Sequence, residues 1–361
     1  MEGAGLNGTG EARTRGGRKM LLSLRWGCLC LAVLLTGCAR EESAQGQKSK
    51  EVVVYCALDR IYSEPILREF EAETGIKVRA VYDAEAVKTV GLVNRLLAEK
   101  ERPQADVFWN NELVRTLYLK REGVLQPTFP SFAADLPASM KDKDGHWYGF
   151  AARARVIVYN PDKISGRDVP KTTFGLSAPA WRGRVAMAKP LFGTTATHAA
   201  VWVAYFGKDQ ARRMFQELLN NRIMVEAGNS TVRDRVAEGA AWLGWTDTDD
   251  VYSGKARGQR LDMVLPDQDG MGALVIPNAL SLVAGCKNPE EGHALIDYLL
   301  RPAVERKLAE CASHQIPVRG SIPVPQGCYR LTDIKAMQVD WDEVLDVLTT
   351  TGEMMQELFG A

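Results

Sequence analysis

From residue 51 onward the chain alternates strand-like and helix-like stretches, and this alternation constrains its fold more than any other feature. Val52-Val53-Val54-Tyr55-Cys56-Ala57 is a continuous apolar run of the kind buried on both faces of a parallel sheet. Helical spacing follows at Ile66, Leu67 and Phe70 and stops at Thr74-Gly75, after which residues 76–82 alternate as a second strand. Val90, Leu92, Val93, Leu96 and Leu97 mark another helix, and Ala105-Asp106-Val107-Phe108-Trp109 a third strand. Strand, helix, strand, helix, strand predicts an α/β fold with an open sheet and right-handed crossovers. Such sheets bind ligands beyond the carboxyl ends of their strands. Neither Gly-x-Gly-x-x-Gly nor Gly-x-x-x-x-Gly-Lys-Ser/Thr occurs, so a dinucleotide fold and a nucleotide triphosphatase are not supported.

The pattern continues with a strand over 155–161, a second α/β unit from Gly183, and helices near 195–206, 209–219 and 230–239. A strand at 241–245, a long apolar stretch over 272–283, and helices at 289–300 and 303–311 follow. A length of 361 residues, 46% hydrophobic and 25% charged, is enough for two cores. Lys+Arg and Asp+Glu are both 45, so no excess of basic charge points to nucleic acid. Four scattered histidines and seven cysteines without a suitable Cys-x-x-Cys pair argue against a zinc cage.

Arg13, Arg15, Arg18 and Lys19 precede the largely apolar run 20–35, which ends at Leu35-Thr36-Gly37-Cys38. Residues 1–37 are therefore expected to be a lipoprotein signal, too short for a membrane span, with Cys38 lipidated as the first mature residue. Met20 is an alternative start that leaves a complete signal. Residues 38–50 are polar and aperiodic, as a flexible tether should be. Export puts the remaining cysteines in an oxidising compartment. Cys311 and Cys328 enclose a short Pro/Gly-containing stretch and are expected to pair, with Cys56 and Cys286 as small core residues.

The stretches Phe70-Glu71-Ala72-Glu73-Thr74-Gly75-Ile76-Lys77-Val78, Ala105-Asp106-Val107-Phe108-Trp109 and Ala154-Arg155-Val156-Ile157-Val158-Tyr159-Asn160 resemble the ferric-iron-binding branch of the bacterial solute-binding proteins that serve ABC importers. The resemblance covers roughly 51–325. It implies a type II periplasmic-binding-protein fold of two α/β lobes joined by two crossing strands, closing on its ligand by a hinge. On that basis 51–152 and 276–361 form the first lobe and 153–275 the second. The implied protein is a monomeric, lipid-anchored, non-enzymatic carrier. It captures ferric iron, with carbonate or phosphate as a synergistic anion and no organic cofactor, and delivers it to an ABC permease and its ATPase.

The resemblance places metal ligands at Asp59, after the first strand, and at Glu112, after the third. The adjacent tyrosine pair of the family falls where this chain has Thr246-Asp247-Thr248-Asp249-Asp250, a departure that removes the phenolates. Asp59, Glu112, Asp247, Asp249 and Asp250 would offer oxygen alone, which suits hard cations. Helix capping is the competing role for Asp59 and for Asp247 to Asp250, and a surface charge that for Glu112. Gly193, Thr194 and Thr195, and Asn229, Ser230 and Thr231, each stand where a helix starts, and free N–H groups there suit an anion that Arg153 and Arg155 could also bind. Capping or a structural ion pair explains the same residues. The alternatives are a binding protein for an organophosphate, phosphonate or other small anion, a binding module for a membrane sensor, and an exported hydrolase. No Gly-x-Ser-x-Gly elbow accompanies the histidines, of which His198 lies nearest the first anion loop. Trp109, Trp147, Trp242 and Trp245 are read as core rather than as a sugar platform.

Overall fold

The computed structural model describes residues 50–83 and 90–360; the expected signal, the lipidation of Cys38 and the tether up to residue 49 lie outside the described residues. β1 (Glu51–Cys56) is flanked by two parallel neighbours, β2 (Lys77–Tyr82) and β3 (Val107–Asn110). Between β1 and β2 runs α1 (Arg60–Thr74), which buries Ile66, Leu67 and Phe70. Each of these stabilises the fold by roughly 1.5–3 kcal/mol through area removed from water. Gly75 ends the helix at φ +71°, with its N–H bonded to the Glu71 carbonyl at 2.9 Å. α2 (Val90–Ala98), α3 (Val114–Arg121) and the short β4 (Leu125–Gln126) complete this half.

β5 (Tyr148–Tyr159) is twelve residues long and buried throughout. Residues 148–154 pair antiparallel with β10, and residues 155–159 pair with β8 and β9. One strand therefore belongs to both halves. The second half contains β6 (Val185–Ala188), α4 (Gly193–Phe206), α5 (Lys208–Asn220), β7 (Met224–Glu226), α6 (Asn229–Ala237), β8 (Leu243–Asp247), α7 (Thr248–Ala256) and β9 (Asp262–Val264). β10 (Val275–Val283) then returns the chain to β3, giving the strand order β2-β1-β3-β10-β5-β8-β6-β7. α8 (Pro289–Leu299) and α9 (Pro302–Glu310) pack beside the first sheet, where Leu295, Ile296, Leu299 and Leu308 join Val52, Val54 and Phe70 in one core.

Three expectations need correction. β5 begins at Tyr148, seven residues ahead of the strand expected at 155, because Gly149, Ala151 and Ala152 fit only where distant segments close over them. α10 (Trp341–Phe359), expected with the first lobe, touches it through its first turns, where Val344 packs by Val114 of α3, but sets Met354, Met355 and Phe359 into the core around Trp202 and Phe215 of the second half. Cys311 and Cys328 are separate thiols. Cys311 closes α9, with Sγ 3.1 Å from the Leu308 carbonyl and from Ser313 Oγ, whereas Cys328 packs by the Tyr252 hydroxyl. Local partners hold the two sulfurs apart. Among the described residues no helix is long and apolar enough to cross a membrane.

Candidate functional site

The carboxyl ends of β1, β3, β6 and β8 border one cavity of about 580 Å³. From the first half it is lined by Asp59, Tyr62 and Asn111, and from the crossing strand by Arg153. The second half contributes Lys189, the starts of α4 and α6, and Asp247, Asp249 and Asp250 around the start of α7. Carboxylate oxygens of these last three lie within 4.8 Å of one another.

Asp247 occupies the N-cap position of α7, yet its side chain makes no capping bond. Oδ1 accepts from Arg155 Nη1 at 2.8 Å, while Oδ2 accepts from Thr194 Oγ1 at 2.5 Å and from Asn229 Nδ2 at 2.8 Å. Arg155 also donates to Thr195 Oγ1 at 3.2 Å and lies over the Trp245 ring, 5.0 Å from its centroid. These side chains form one connected network in the cavity wall, buried except at the half-buried Asn229. Arg155, expected on an anion, is fully buried and does not line the cavity. The Thr194, Thr195 and Asn229 side chains are committed to the same network, and these residues line the cavity at the starts of α4 and α6. Thr231 is not among the lining residues, whereas Gly193 and Ser230 are.

Asp249 has a different environment. Oδ2 accepts from Arg153 Nε at 2.9 Å, while Oδ1 is shielded from solvent with no hydrogen-bond partner. Burial and the nearby carboxylates of Asp247 and Asp59 hold its pKa above the usual carboxylate range, against the pull of Arg153. Asp250 Oδ2 accepts from Thr246 Oγ1 at 3.1 Å. Asp59 lines the cavity and stands at the N-cap of α1, again without a capping bond from its side chain.

Glu112 is not brought to the cavity. It is fully buried, accepting from Thr197 Oγ1 at 2.9 Å, Asn110 Nδ2 at 3.2 Å and the Arg115 N–H at 3.2 Å. It ties α3 to α4, and neither the expected metal-ligand role nor a surface charge describes it. Burial raises its pKa above the ordinary 4.5. The folded state then binds more protons than the unfolded one between 4.5 and the raised value, so this group's contribution to stability falls as pH rises through that window. Glu112→Gln is expected to remove that fall and to be more stable than the parent near neutrality. Urea midpoints measured from about pH 4 to pH 8 check this, and a parental slope retained in the variant would contradict it.

Sequence reasoning missed Tyr62, Lys189, Ser253 and Arg257, all of which line the cavity. Lys189 follows β6 directly, so the rule that such sheets bind ligands beyond the carboxyl ends of their strands could have found it. Ser253 lies four residues after Asp249 on α7, hence on the same helix face. Burial raises the Tyr62 phenol, with the Asp59 and Asp249 carboxylates adding to the effect, and Ser253 shares a hydrogen bond with it. His198 is buried against Trp202 and Trp245, and burial together with Arg155 holds it well below the ordinary imidazole range. It is a neutral core residue. Trp245 and Trp202 stack in that core at 5.0 Å.

The sequence profile of the bacterial extracellular solute-binding proteins matches residues 105–346. The iron uptake protein A1 of Synechocystis sp. is 24% identical over 340 residues, 90% of this chain and 92% of that protein. The iron-bound crystal structure of HitA from Pseudomonas aeruginosa superimposes with a TM-score of 0.77 at 20% identity, over 86% of this chain and 99% of that one. AfuA from Actinobacillus pleuropneumoniae, with fructose-6-phosphate bound, gives 0.76 at 19% identity over the same shares. The two halves sharing β5, the cavity at the strand ends and the match over two-thirds of the sequence agree: this chain has the type II periplasmic-binding-protein fold and belongs to the bacterial extracellular solute-binding protein family.

Proposed function

We propose that this chain is the solute-binding component of an ABC importer that captures ferric iron between its two halves and delivers it to a membrane permease powered by its ATPase. The observation that carries the reading is the convergence of Asp247, Asp249 and Asp250 oxygens within 4.8 Å, with Asp59 lining the same cavity. An all-oxygen set suits a hard, highly charged cation. The names of relatives such as the Synechocystis iron uptake protein support the same cargo. Asp59, Asp249 and Asp250 are the proposed ligands, with Asp247 fixed behind them by Arg155. A small anion such as carbonate or phosphate completes the coordination, held by the backbone at Gly193 and Ser230 and by Lys189. The mature protein acts outside the cytoplasm as a monomer, anchored through lipid on Cys38.

A second reading, a phosphorylated or other small anionic solute, is favoured by Lys189 and Arg257 lining the same cavity as the starts of α4 and α6. Thermal melting of chelator-stripped protein separates the two. A ligand at 100 times its dissociation constant adds about 2.7 kcal/mol, a shift of a few degrees. Ferric citrate is expected to give that shift, and Asp249→Ala and Asp250→Ala to abolish it. A shift with phosphate or phosphorylated metabolites alone would establish the second reading and remove iron. Turnover of a phosphorylated substrate would instead indicate a hydrolase.

A further inference from the structure

Arg153 sits on the shared strand β5 and is 2% exposed. Nε donates to Asp249 Oδ2 at 2.9 Å, Nη1 to the Asn111 carbonyl, and Nη2 to Asn278 Oδ1 at 3.4 Å. Asn111 follows β3 in the first half, Asn278 lies on β10, and Asp249 belongs to α7 in the second half. The guanidinium therefore joins both walls of the cavity. Its hold on Asp249 is one-sided, since the other carboxylate oxygen, Oδ1, has no partner and the Asp247 and Asp250 oxygens stand close by. Asp247 differs: its cation, Arg155, is buried behind the cavity wall and has four acceptors around it.

We infer that Arg153 is an internal counter-ion, displaced from Asp249 by the incoming cation, that competes with the cargo and so favours its release. The inference rests on the ferric reading above and adds to it a residue that sets affinity. An arginine keeps its charge at any relevant pH, so it neutralises Asp249 in the empty protein and limits repulsion within the carboxylate cluster. A cation approaching the unpartnered Oδ1 meets that same charge and is repelled by it. When Asp249 turns to the cation, Arg153 retains the Asn111 carbonyl and Asn278 as acceptors, so displacement does not strand a buried guanidinium without hydrogen bonds. When the cation leaves, the pair re-forms. A carrier that must surrender its cargo gains from such a competitor. The opposite role, Arg153 as a clamp for an anion bound beside the metal, predicts the opposite sign on mutation.

The test is titration of the full chain with ferric nitrilotriacetate, followed by stopped-flow release into excess chelator, for the parent, Arg153→Gln and Arg153→Lys. Arg153→Gln is expected to bind roughly tenfold tighter and to release correspondingly more slowly. Its melting temperature should rise more on iron binding than the parent's. Arg153→Lys, which keeps the charge but loses the planar fork, is expected to show a smaller gain in the same direction and carries the test if the glutamine variant does not fold. Unchanged or weaker ferric binding by a folded variant, with the parent still binding iron, overturns the counter-ion role alone. Failure of the parent to bind ferric ion overturns both this role and the ferric reading.

Discussion

Asp247→Ala is expected to destabilise the folded protein by about 3–5 kcal/mol, the usual cost of removing one partner from a buried ion pair. Arg155 is fully buried, and its Nε already has no hydrogen-bond partner. Without Asp247 the guanidinium would face only the neutral oxygens of Thr194, Thr195 and Asn229 and the Trp245 ring. Thr194 and Asn229 would each also lose the carboxylate acceptor for their own donors. Calorimetry should show a fall in Tm of roughly 5–15 °C. Asp247→Asn, which keeps the shape and one acceptor oxygen, should fall between parent and alanine. Asp250→Ala, on α7 close by but accepting from the neutral Thr246 hydroxyl rather than from a buried guanidinium, should lower Tm less than Asp247→Ala while removing the ferric shift. If Asp247→Ala proves as stable as Asp250→Ala, the network around Arg155 contributes little and Asp247 is better regarded as an ordinary ligand.

The contrast between these neighbouring aspartates shows what a sequence can reveal of such a site. The apolar run at Val52-Val53-Val54 and the helical spacing of Ile66, Leu67 and Phe70 are local patterns, and they form β1 and the buried face of α1. Asp59 and the stretch holding Asp247, Asp249 and Asp250 were singled out by the family resemblance, and the strands that precede them end at the cavity. The same resemblance pointed to Glu112, which does not reach the cavity because Thr197, 85 residues away, bonds its carboxylate and keeps it inside. The partner of Arg155 lies 92 residues along the chain, and no periodicity announces it. Residues 148–154 of β5 were missed for a related reason. Gly149, Ala151, Ala152 and Arg153 among them look unlike a central strand until β10, α9 and the Ile316 bridge close around them. The pairing of Cys311 with Cys328 failed because loop length permits a disulfide without specifying where each sulfur points.

The same long-range closure gives the second large effect. Glu305, on α9, has no exposed surface, and its Oε1 accepts from the Ala151 N–H at 3.0 Å and from the Val318 N–H at 2.7 Å. Oε2 accepts from Arg319 Nη1 at 2.8 Å. Ala151 holds φ at +43°, opposite the register shift at Pro277/Asn278, a left-handed conformation that costs an L-residue roughly 1–2 kcal/mol. Glu305 thus secures a strained residue two positions before Arg153. Glu305→Ala would leave two buried N–H groups without an acceptor and Arg319 with Asp135 as its remaining carboxylate. A loss of about 3–5 kcal/mol is expected in denaturant titrations. Glu305→Gln, whose amide oxygen can still accept from Ala151 and Val318, should lose clearly less. Adding Ala151→Gly to Glu305→Ala should recover part of the loss, because glycine adopts positive φ without steric cost. Hydrogen exchange at the Ala151 and Val318 amides should quicken in Glu305→Ala and return towards the parent in Glu305→Gln. No recovery in the double variant would mean that the turn at Ala151 is held by the strands around it rather than by the carboxylate.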